Sequence, residues 1–206
     1  MSETRIPTQK RSIEKRNKII EKGFELMCEK GYYNTNTQQI AEYAGVSTGI
    51  IYQYFNDKKE IFIEGVKNYS NTILYHEIDI LSTQSVDFNN IEKILKSMIE
   101  KFIETHTFSK KAHEELMAMS HLDDDVSEIF KNSELNMTKK IVELLSANNI
   151  TIPNVNERVH IAIGLVDNLC HEIVYHKHEH FNYNSMTDEV ITIIKNLLFD
   201  QNNIVH

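Results

Sequence analysis

Residues 36–58 read Asn-Thr-Gln-Gln-Ile-Ala-Glu-Tyr-Ala-Gly-Val-Ser-Thr-Gly-Ile-Ile-Tyr-Gln-Tyr-Phe-Asn-Asp-Lys, and this stretch decides the fold. Thr37 stands at an N-cap or first-turn position, and Ile40, Ala41 and Ala44 make a small apolar face at helical spacing. Gly45 supplies the positive φ that ends this first short helix. Val46 tucks under the corner, Ser47 or Thr48 caps a second helix, and Ile51 and Phe55, four apart, point inward. A small residue at Ala41 lets the second helix cross closely, and Gly45 makes the bend. The pattern is a helix-turn-helix.

The residues left outside on the second helix suit a nucleic-acid surface. Gly49 and Gln53 lie opposite Ile51, with Ile50 and Tyr52 on the flanks. A glutamine amide donates and accepts together at an adenine edge, glycine allows close approach, and a tyrosine hydroxyl reaches a phosphate. After Phe55, Asp57 and Glu60 have the spacing of a capping box, which opens a third helix with Lys58 and Lys59 beside the presumed DNA backbone.

Residues 37–58 resemble the DNA-binding segment of TetR/AcrR-family bacterial transcription regulators. The agreement lies in Thr37, Ile40-Ala41, Ala44-Gly45-Val46-Ser47, Ile51-Tyr52, Tyr54-Phe55 and Asp57-Lys58, while Ile20, Phe24 and Gly31-Tyr32 fit the family's first helix and its exit. The resemblance covers the first third of the chain. It implies an all-α protein with a three-helix DNA-binding domain at 1–57, including an arm at 1–11, and a helical effector-binding and dimerisation domain at 58–206. It also implies a cytoplasmic, homodimeric regulator of double-stranded DNA, more often a repressor than an activator, released from a palindromic operator by a small-molecule effector. No enzymatic activity and no cofactor are expected. The expected DNA contacts are Thr37, Gln38, Ser47, Thr48, Gly49, Tyr52, Gln53, Tyr54 and Lys58. Gln38 and Gln53 would read bases, while Tyr52, Lys58 and the cap residues would hold phosphates.

The chain's net charge of −8 looks wrong for a DNA binder until it is divided. Residues 1–60 carry ten Lys/Arg against eight Asp/Glu, and residues 61–206 carry twelve against twenty-two. The basic footprint is local and sits at the amino end. Two prolines and six glycines in 206 residues leave long helices as the natural reading. Cys28 and Cys170 lie far apart with no CxxC, which fits a reducing compartment, and Cys28 is expected to be packed or half-exposed. No apolar run approaches a membrane span, and the amino end is polar.

Periodicity predicts further helices at about 12–30, 58–81, 89–106, 109–119, 124–147, 156–177 and 187–199. On the first, Ile13, Ile20, Phe24 and Met27 form the expected buried stripe. Asp123-Asp124-Asp125 read as acids at a helix N-terminus, and Asn148-Asn149 with Pro153-Asn154 mark a break. The last two helices are apolar nearly all round, so each must bury two faces. One face goes to the core and the other to a second copy, giving a four-helix homodimer interface through 156–177 and 187–199.

One stripe of the 156–177 helix is polar: His160, Gly164, Asp167 and His171. Asp167 and His171, four apart, could share a metal in a metal-responsive regulator, or simply hydrogen-bond; His160 lies about 16 Å from His171 along the axis, too far for the same ion. His176, His178 and His180 alternate with Lys177 and Glu179 in what reads as a solvated connector. The resemblance implies a small-molecule pocket in the helical body, and Phe102, His106, His113, Met117, Met137, Asn168 and His171 offer the mix of apolar and polar groups that such a pocket needs. A protein-interaction module lacking DNA binding is the remaining alternative.

Overall fold

A computed structural model describes residues 9–81, 90–106 and 110–199, the side chains of 72–81, 105–106 and 110 excepted. The expected arm at 1–11 falls outside these residues up to position 8. Among the described residues there are nine α-helices and no strand. They are α1 (Lys10–Lys30), α2 (Thr37–Ala44), α3 (Thr48–Tyr54), α4 (Lys58–Leu81), α5 (Ile91–His106), α6 (Lys110–Leu122), α7 (Asp124–Ala147), α8 (Val155–Tyr175) and α9 (Tyr183–Phe199).

The helices gather into two compact units, residues 1–70 with 111–130, and 71–110 with 131–206. The division expected at 57/58 therefore does not coincide with the packing. Ile61, Phe62 and Val66 of α4, Leu116 and Met119 of α6, and Val126 of α7 all belong to the core around the helix-turn-helix.

In the first unit α1 turns the expected stripe inward at Ile20, Met27 and the partly buried Phe24, but not at Ile13. Ile19, Ile20, Leu26 and Met27 are buried, whereas Ile13 is 40% exposed. Gly23 marks a close crossing: a Cβ there would lie 2.7 Å from Cγ2 of Ile61 and 3.0 Å from Cγ2 of Ile40. Gly65 of α4 meets α1 in the same way, and a Cβ at that position would collide with the Phe24 ring. Phe24, Phe62 and Tyr32 complete this contact as an aromatic chain, with centroids 5.7 Å apart for the first pair and 5.1 Å for the second.

The second unit packs α5, α8 and α9 against one another. Arg158 Nη1 donates to the Leu197 carbonyl at 2.8 Å, tying α8 to the last turn of α9. Asn149 and Asn154 take positive φ (59° and 54°) at the expected break between α7 and α8. Helix α9 begins four residues before the expected 187, because the Asn182 side chain accepts the Ser185 N–H at 3.1 Å and supplies the cap.

Candidate nucleic-acid interface

Of the two positions open to Thr37, the structure gives it the first turn of α2 and not the N-cap. Asn36 is the N-cap: its side chain accepts the Gln39 N–H while the Gln39 side chain accepts the Asn36 N–H, a reciprocal capping box that leaves Thr37 in the first turn. Gly45 adopts φ 68°, ψ 39°, the left-handed cap, with its N–H on the Ala41 and Glu42 carbonyls. Ser47 is the N-cap of α3 without a side-chain hydrogen bond, which leaves its hydroxyl uncommitted to the helix. Ile51 and Phe55 are fully buried beneath α3.

The outward side of α3 carries Gly49 and Gln53, both exposed, and Tyr52, 51% exposed. A Cβ added at Gly49 would meet only the Ser47 hydroxyl, 4.0 Å away. Tyr52 Oη lies 3.0 Å from Thr37 Oγ1, so two hydroxyls from separate helices share one hydrogen bond at the surface. Gln38 is exposed, and its amide donates to Glu42 at 3.1 Å. The structure thus brings Thr37, Gln38, Ser47, Thr48, Gly49, Tyr52 and Gln53 onto α2, α3 and the turn that joins them, with Thr48 half-buried at the start of α3.

Two of the expected contacts are corrected. Tyr54 is only 7% exposed and its ring belongs to the core, because it lies next to Phe55 on the inward side of α3. Lys58 is turned inward: its Nζ donates to the Tyr32 and Thr35 carbonyls at 2.6 and 2.7 Å and sits 4.3 Å from the Tyr32 ring centroid. Loss of water lowers the pKa of this ammonium. Asp57 accepts the Glu60 N–H as expected, but the Glu60 carboxylate bonds Asn56 instead of closing the box on Asp57. A basic group that motif reading passed over stands nearby: Lys18 Nζ lies 3.7 Å from where a Cβ on Gly45 would be. Its signal was the excess of basic residues before position 20.

Further ties fix the turn that presents α2. The Tyr32 N–H donates to Glu115 of α6 at 2.6 Å, and Lys59 pairs with Asp123 and Asp125 at 2.7 Å each. Asp123 also caps α7, accepting the Asp125 and Val126 N–H groups. Burial alone would raise this carboxyl, but Lys59 and the two amides outweigh it and hold the pKa below the ordinary 3.8. Cys28 is buried rather than half-exposed, and burial with the nearby Glu115 charge pushes its thiol up to about 12.

Residues 19–64 match the sequence profile of the bacterial regulatory proteins of the tetR family. The chain's amino-terminal segment is therefore similar to the DNA-binding part of that family. The HTH-type regulator HbdR of Aromatoleum sp. (strain CIB) is 49% identical over 59 residues, 29% of this chain and 26% of HbdR. The chain thus spans about a quarter of that relative's length. IcaR of Staphylococcus aureus (strain Newman), the negative regulator of the biofilm operon icaADBC, is 24% identical over 138 residues, 61% of this chain and 74% of IcaR. A TetR-family regulator of Mesorhizobium loti shares the fold at TM-score 0.72, with 16% identity over 92% of this chain and 98% of its own.

The residues expected to bind a ligand are divided between the two units. His113 and Met117 lie on α6 in the first unit, half-buried. In the second unit Phe102 is buried, Asn168 is exposed, and His171 is half-buried with Nδ1 3.2 Å from Asp167 Oδ2. The His106 side chain lies outside the described residues. Asp167 and His171 meet as their spacing predicts, but no group of three or more His, Cys, Asp or Glu placed to hold a metal occurs among the described residues. His160 faces Glu134 (3.4 Å) and Thr138 (3.2 Å) instead. A cavity of about 70 Å³ opens between α5, α7, α8 and α9, and of the expected set only Met137 lines it. No described helix is long and apolar enough to cross a membrane.

Proposed function

We propose that this chain is a cytoplasmic TetR-family transcriptional repressor that binds a palindromic operator as a homodimer and is released by a small-molecule effector. The observation that carries this reading is the presentation of α3. Ile51, Tyr54 and Phe55 anchor one side in the core, and the other side offers Gly49, Tyr52 and Gln53 to a major groove. TetR-family regulators bind DNA and usually dimerise and take small effectors, and IcaR is a negative regulator by name.

The dimer reading is supported by apolar stripes left at the surface of α8 and α9. Ile161 is 53% and Ile193 49% exposed, and Leu165, Met186, Val190 and Leu197 are half-exposed at helical spacing beside them. A twofold axis through these stripes would bury them and set the distance between two recognition helices. The effector then acts by binding better to the conformation whose heads are wrongly spaced, and the shift is limited by that difference in affinity.

The test is titration of DNA from the chain's own promoter region at several salt concentrations. Gln53→Ala should lose discrimination at one base pair, about 1–3 kcal/mol, while non-specific binding persists. Ile193→Asp should give monomers by light scattering and weaken operator binding. A Gln53→Ala protein with unchanged sequence preference, or a parent that stays monomeric at all concentrations, overturns the reading.

A further inference from the structure

We propose that the cavity between α5, α7, α8 and α9 is the effector site and that it takes an extended hydrocarbon chain whose head group stays outside. The assignment rests on the effector-released reading above. All fourteen lining side chains are Ile, Leu, Val, Met or Ala. A charge or hydrogen-bonding group inside would lose its water and find no partner, so whatever enters must be hydrocarbon.

The shape narrows the class further. The lining runs from Ile91 to Met98 on α5 and from Val159 to Val166 on α8, about 10 Å along each axis at 1.5 Å per residue. A cavity of about 70 Å³ with walls of that length admits a methylene chain lying along the helices. Protein interiors are close-packed, and an empty apolar cavity forfeits contacts on every wall. Met98 and Met137 are unbranched and flexible, which lets the walls follow chains of different length. Recognition is therefore by length, not by head group.

The experiment uses the whole 206-residue chain, delipidated, and two probe series read by calorimetry: hexanoate, octanoate and decanoate for length, and decanoate against decanol for the head. Affinity should rise about fourfold per added methylene until the slot is full, and decanoate and decanol should agree within threefold. Ala162→Phe, which fills the slot from α8, should weaken decanoate at least tenfold. Ile163→Trp serves as a second blocking variant, and circular dichroism verifies that each one folds. No length dependence, a strong head-group preference, or unaltered binding in both folded variants overturns the proposal. Operator binding by the ligand-free protein is measured first, so its absence counts against the regulator reading and not the slot. If decanoate binds but leaves operator affinity unchanged, the slot is not the effector site.

Discussion

The two units differ in what holds them. The unit that holds the helix-turn-helix is tied by polar contacts between segments distant in sequence: Lys58 on two carbonyls, Glu115 on the Tyr32 N–H, Arg16 on Glu64 at 2.9 Å, and Lys59 on two aspartates. Its helices touch at glycines, where backbones approach most closely. The second unit has an aliphatic interior with a slot, and its α5–α9 ion pairs, Lys96–Asp188 and Lys195–Glu92, are partly exposed at 3.3 and 3.9 Å. The difference teaches which part tolerates change. On the proposed function, a surface that reads base edges has to hold its side chains in place, whereas a cavity that admits a ligand must leave space unfilled.

Substitutions at glycines break the contrast most sharply. Gly65→Val drives a branched side chain into the Phe24 ring, and thermal or urea unfolding should show a loss of about 3 kcal/mol. Next comes Lys58→Ala, which strands the Tyr32 and Thr35 carbonyls and should cost about 1–2 kcal/mol. Because its ammonium is engaged inward, the salt slope of DNA binding should be unchanged; a slope lower by about one would identify a phosphate contact instead. Gly164→Ala has the opposite sign. It lies inside α8 with nothing within 4 Å of a new Cβ, so monomeric protein should gain about 0.5–1 kcal/mol from helix propensity alone.

The smallest effect should come from the exposed Lys59 cluster. Lys59→Ala should lower the unfolding midpoint slightly, and less so in high salt. Asp123 carries the pH dependence: its carboxyl is held below 3.8 in the folded chain, so its contribution is complete above that pH and is lost as pH falls through the lowered value. Acid unfolding of Asp123→Asn should therefore be less steep than that of the parent.

Much of the first unit was legible because its signals are stereochemical. Gly45 takes the left-handed turn that only glycine adopts freely, and Ile51 and Phe55 bury as their spacing demands. What escaped were choices between equivalent groups. Asn36 and Thr37 can both cap, and the decision rests with Gln39, which closes the box on Asn36. Lys58 and Tyr54 have long side chains that can lie inward or outward, and only the partners across the fold settle which. On α1 the stripe is right at Ile20, Phe24 and Met27 and fails at Ile13, and no weighing of large residues marks the crossing at Gly23. The cavity was missed for a related reason: its walls are ordinary aliphatic core residues, which one-dimensional reading cannot separate from packed ones. The Lys59–Asp123 pair joins positions too far apart for any local pattern.

The placement of α6 has a consequence for synthesis. Leu116, Met119 and Val126 close a core whose other walls come from the first seventy residues. A nascent chain emerging from the ribosome therefore exposes that apolar seam until the later segment has been translated, an opening for chaperones or for misassembly. The helix-turn-helix unit is finished by a part of the protein made well after it.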